Sequence, residues 1–245
     1  MLTLEERMHL VLARAWHLLP PRKTEAVITA VHLEDLGAKH GSFDPETCII
    51  TLSTRLFEGD TPEQLMSIDL HGESPALCEP FCSRALHTAS HELSHAIGYA
   101  TGLDESEEWL ALSGWDHTDE DLHTTGRYTE RRPGWGTWES PWRYTKGTWF
   151  CRSYASSSPH EDFADCVTHL ALGWVPFGTS PSAHQKLRYL RRTLFQETGT
   201  RYLAAVTQRY QRQLQARCGT GARKGEGDGR RLHGGMHHVL GSESR

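Results

Sequence analysis

The stretch "ASHELSHAIGYAT", residues 89–101, decides how the rest of the chain is read. His91 and His95 are four apart, which on a helix puts them on one face, where two imidazoles can hold one metal ion. Glu92 is offset by about 100° per residue, beside such an ion and free to take a proton from water. Leu86, Ala89, Leu93, Ile97 and Ala100 form an apolar stripe that predicts a helix over about 83–100, and Gly102 is a suitable C-terminal stop. In a chain with 16 histidines, H-E-x-x-H does not decide the matter alone. A catalytic zinc needs a third protein ligand and an open fourth position.

The metzincin pattern would supply that ligand as a third histidine, but position 101 is Thr, although Gly98 fits. The only methionine downstream is Met236, in a glycine-rich tail, so no Met-turn is expected. His87 shares the face of His91 and His95, but three ligands strung along two turns are too far apart for one tetrahedral ion, and His87 reads as a neighbour. The better source is "RSYASSSPHEDFADCVTHL", 152–170. Ser158 and Pro159 predict a helix start, and Phe163, Val167, Leu170 and Trp174 a buried stripe over about 159–172. Glu161 and Asp165 share the opposite face. There Glu161 is favoured as the third ligand and Asp165 as the carboxylate that orients a ligating histidine. The competing reading is a capping box, in which Glu161 merely reaches back to the Ser158 amide.

The pair of motifs, "HELSH" and then "SYASSSPHEDFAD", resembles the gluzincins, and most of all the anthrax lethal factor-like group. The resemblance covers about residues 45–172, is strong at the two motifs, and extends to "LSGW", 112–115, which is similar in a less specific way. It implies one zinc per chain held by His91, His95 and Glu161, with Glu92 as general base, Tyr154 assisting at the developing oxyanion and Asp165 behind a ligand. Asp165 stands where the group often has Glu. The implied activity is endopeptidase hydrolysis of a protein or peptide. The implied fold is α+β and zincin-like: a small twisted sheet, an active-site helix and a mainly helical C-terminal part. By the same analogy the strand at 47–53 lies at the edge above a cleft, where an extended substrate adds as a further strand.

Outward from the motifs the chain is less specific. Leu4, Met8, Leu12, Ala15 and Leu19 predict an amphipathic helix over 2–18, ended by Pro20-Pro21. "AVITAVHL", 26–33, predicts a strand, and a second follows a turn at Asp44-Pro45, at about 47–53. Residues 58–80 read as loop with a short helix. Residues 101–150 hold six of the eight tryptophans and no sustained period, an aromatic insertion that either lines a cleft or forms a satellite cluster. Helices at about 181–198 and 200–217 carry many arginines, among them Arg188, Arg191, Arg192 and Arg209, which suit a solvated face better than a nucleic-acid surface. A domain over 1–218 and a flexible tail over 219–245, with eight glycines, complete the organisation.

Net charge −5 and pI about 6.3 give no reason to expect nucleic acid or an anionic membrane as partner. No apolar run reaches the roughly 20 residues of a membrane span. Glu5, Glu6, His9 and Arg14 interrupt any secretory leader, so a cytoplasmic place or leaderless export is expected. The six cysteines are scattered, which reads as free thiols. Two further function classes stay open: a catalytically silent zincin-fold binding protein, of a phage or mobile element, and a metal-stabilised structural protein. An intact Glu92 speaks against the first, and a three-ligand site without Cys against the second.

Overall fold

Helix α1, Leu4–Leu18, begins at a capping box formed by Thr3 and Glu6. The computed structural model describes residues 2–68, 82–117, 142–173 and 180–195, and structural statements concern these. The buried face of α1 is Met8, Val11, Ala15 and Leu18. The expected stripe began at Leu4, which is exposed, because steps of four drift about 40° per turn whereas alternating steps of three and four stay on one side.

Strands β1 (Ala30–Glu34), β2 (Gly41–Asp44) and β3 (Ile49–Ser53) make one sheet in the order β1-β3-β2. β1 runs parallel to β3, and β2 antiparallel to it. Two sequence expectations change here, and one strand is added. The first strand starts later than 26, since Val27 is solvent-exposed and pairing opens only where the Thr29 N–H reaches Cys48 O. The turn after Asp44 is present at 45–48, but β2, just before it, was not expected: Phe43 is its one apolar residue, and its strand character comes from the partner rather than from its own pattern. Among the described strands β3 is therefore central, not at the edge, and β2 lies at one edge. Ile50 and Leu52 of β3, two apart, are fully buried.

A short helix α2, Pro62–Leu65, precedes α3, Arg84–Thr101. α3 starts at Ser83, whose Oγ accepts from the Leu86 N–H, and ends at Gly102 in the left-handed region, φ 62°. It packs against α1, the sheet and α5 (Pro159–Ala171), so most of its residues from Ala85 to Gly98 are buried. Only Ala100 of the expected stripe is exposed. Leu86, Ile97, Phe163 and Leu170 are completely buried, each worth about 1.5–3 kcal/mol relative to exposure.

Part of the aromatic insertion is regular: α4 (Glu107–Ser113) and a two-stranded pair, β4 (Asp116–His117) with β5 (Trp142–Arg143). Trp109 and Trp115 are buried, and Trp109 packs edge-on to Phe163 of α5. α6, Pro181–Thr193, buries Ala183, Lys186, Tyr189 and Leu190 and exposes Arg188, Arg191 and Arg192, a solvated face. The architecture is mixed α and β with small sheets. Trp174, the rest of the insertion at 118–141, the arginine-bearing stretch 200–217, the tail 219–245, Cys78 and Cys218 lie outside the described residues. No described helix is long and apolar enough to cross a membrane.

Candidate metal centre

Two helices bring the site together. α3 supplies His91 and His95 from adjacent turns of one face. α5 supplies Glu161 from its first turn, where the Glu161 N–H donates to Ser158 Oγ at 3.2 Å and Trp109 Nε1 donates to Pro159 O at 3.2 Å. The Ser158 cap is thus present. The Glu161 carboxylate, however, points to the histidines rather than back along the chain. His91 Nε2 lies 3.0 Å from Glu161 Oε2, His95 Nε2 3.3 Å from the same oxygen, and the two nitrogens are 3.1 Å apart. These three are the only described group of His, Cys, Asp or Glu side chains that converges closely enough to share an ion.

The donor set fits a tetrahedral cation. Ligands about 2.0–2.1 Å from zinc are separated from one another by about 3.3 Å, close to the spacings found here. His91 Nδ1 lies 2.9 Å from Asp165 Oδ1, an approach that sets the ring with Nε2 toward the centre. Two imidazole nitrogens and a carboxylate converging on one point call for a positive charge between them. The His91 imidazole reflects that demand: burial pushes it down, but Asp165 and Glu161 outweigh burial and hold it up at about 10. Burial likewise opposes ionisation of Glu161 and Asp165, and their histidine contacts nonetheless hold both well below the usual carboxylate range.

Asp165 is fixed from both sides. Its second oxygen accepts from Arg152 Nε at 2.6 Å, and the Arg152 guanidinium also lies 5.3 Å from the Tyr154 ring centre. Tyr154, half exposed, donates its hydroxyl to Glu161 Oε1 at 3.0 Å. Glu92 is buried on the side of β2, so close that a Cβ on Gly41 would stand 2.8 Å from its Oε1. Burial pushes the Glu92 carboxyl up, against the pull of His91 and His95. His87 packs beside His91 with ring centres 6.3 Å apart and is no part of the converging group, as the spacing predicted. Burial keeps it and His169 neutral, His169 at about 4. Thr101, at the metzincin position, bonds its own helix through Ile97 O.

Several contributors carry no signal that the sequence alone reveals. Arg152 has no pattern of its own. Gly41 is legible only once β2 meets α3. Asp162, beside Glu161, is fully buried and accepts from Lys186 at 2.8 Å, Ser113 at 2.9 Å and Trp115 at 3.2 Å. The one available signal for that pair is a lysine on the apolar Ala183–Leu190 face of α6. Asp104 takes His160 Nδ1 at 2.9 Å, and its carboxyl occupies the space a side chain at Gly98 would need. No protein family, curated protein or solved structure matches the chain.

Proposed function

We propose that the chain is a zinc-dependent endopeptidase of the gluzincin kind. The observation that carries this reading is the convergence of His91 Nε2, His95 Nε2 and Glu161 Oε2 within 3.3 Å, with the acidic Glu92 next in sequence to a ligand. His91, His95 and Glu161 would hold the ion. When bound, zinc supplies Lewis acidity, which lowers the pKa of water and polarises a carbonyl. Glu92 takes the proton of the attacking water and returns it to the leaving amine. The Tyr154 hydroxyl, now on Glu161, swings or extends its hydrogen bond to the oxyanion that develops on the scissile carbonyl. Asp165, clamped by Arg152, keeps the His91 tautomer and ring plane fixed while the charge at the centre changes. β2, the edge strand beside Glu92, is the place where an extended peptide would pair.

Metal analysis and cleavage of an unbiased peptide library, on the wild type and on Glu92→Gln, test this. The expected result is about one zinc per chain in both, with turnover reduced by about 10²–10⁴-fold in the variant. Zinc in both with cleavage in neither would favour the binding-protein reading; a wild type that takes up no zinc would sink the metal centre altogether.

A further inference from the structure

Cys151 and Cys166 are both buried, 2% and 3% exposed. Their Sγ atoms are 3.1 Å apart, about 1 Å more than the 2.03–2.05 Å of a disulfide. They sit at the junction of the two segments that complete the metal centre. Cys151 precedes Arg152 and stands three residues before Tyr154. Cys166 follows Asp165 on α5. Burial pushes both thiols above the ordinary cysteine range, so neither serves as a nucleophile in the closed fold. The Cys166 thiol donates to Asp162 Oδ1 at 3.7 Å, but Lys186, Ser113 and Trp115 also serve that carboxylate. Loss of the thiol protons therefore leaves Asp162 with its other donors.

We propose that Cys151 and Cys166 form a disulfide when the chain folds under oxidising conditions, stapling the turn that carries Arg152 and Tyr154 to the helix that carries Glu161 and Asp165. The oxidant is a small-molecule disulfide such as glutathione disulfide. One cysteine thiolate attacks it and expels one glutathione thiolate. The second cysteine thiolate then attacks the protein sulfur of the mixed disulfide and expels the other. Two protein thiols lose two protons and two electrons, and the oxidant becomes two thiols. The exchange occurs before the 151–157 turn closes on α5, since the closed fold shields both sulfurs. The bond then closes a loop of about 15 residues and restricts the unfolded chain. None of this depends on the zinc reading.

The full chain is refolded with zinc in oxidised or in reduced glutathione buffer, blocked with iodoacetamide and mapped by peptide mass spectrometry without reductant. The expected product of the oxidised sample is a cross-linked 151–166 peptide pair, and its unfolding midpoint lies about 5–10 °C above that of the reduced sample. In Cys166→Ala, or in Cys151→Ser should the first variant not fold, that redox-dependent difference vanishes. Alkylated Cys151 and Cys166 in the oxidised sample, pairing of either with Cys48, Cys78, Cys82 or Cys218, or an unchanged midpoint overturns the proposal. Metal content, measured on the same samples, reports separately on the zinc reading.

Discussion

At the scale of single residues, the candidate metal centre is a problem of placing one positive charge. His91 stands between Asp165 and Glu161, and in the metal-free chain that environment keeps a proton on it at neutral pH, with a folded-state pKa of about 10 against about 6.5 unfolded. The raised value means that this contribution to stability is complete below about pH 6.5 and is lost as pH rises through 10. A cation bound there must expel the proton, so zinc uptake near pH 7.5 should release about one proton per chain, read as a dependence of calorimetric heat on buffer ionisation enthalpy. Uptake without proton release would mean that His91 is neutral beforehand. Asp165→Asn removes the charge that orients the ring while nearly keeping its shape, and zinc affinity should fall about 10–100-fold in competition with a chromophoric chelator. Arg152→Ala should move it in the same direction by less.

Elements set distances that no single residue controls. α3 must pass close to β2 for Glu92 to be buried beside the histidines, and Gly41 is what permits that approach. Gly41→Ala would place a Cβ 2.8 Å from both Glu92 Oε1 and Thr88 Cγ2. The strand or the carboxylate must shift, so the variant should lose about 1–3 kcal/mol of stability by denaturant unfolding and lose turnover while keeping its zinc. Full activity in this variant would show that Glu92 has room to spare. H-E-x-x-H, the Ser158-Pro159 start and the Gly102 stop are legible in the sequence, because caps and helical spacing act within a few residues. β2 is not, since a four-residue strand with one apolar side chain exists only through pairing with β3.

Across the whole molecule, α6 is tied to the site through Lys186, which is fully buried and bonds Asp162 and Trp149 O, with the Phe150 ring 4.4 Å away. Asp162 is held from several directions and neighbours Glu161, so α6 helps hold the first turn of α5 in place. Lys186→Met leaves that carboxylate buried without its cation and should cost about 3–5 kcal/mol, measured as a shift in the denaturant midpoint. Adding Asp162→Asn should recover much of the loss, and failure to do so would assign the cost to packing of α6 instead.

Local spacing determined the candidate chemistry: two histidines and a glutamate within about one and a half helical turns, and a capped helix carrying two carboxylates four apart. These are short-range facts, set by about 3.6 residues per turn and by the orphan N–H groups at a helix start. Whether Glu161 serves as cap or ligand is open in the sequence, since both roles use the same residue at the same position. Packing of α3 on α5 sets the carboxylate against two imidazoles that lie far away along the chain, rather than back on the Ser158 amide. The Arg152 clamp, the Gly41 clearance, the Lys186–Asp162 pair and the approach of Cys151 to Cys166 are settled in the same way. Each joins residues whose meeting depends on how whole elements pack, and no local pattern in the chain encodes that distance.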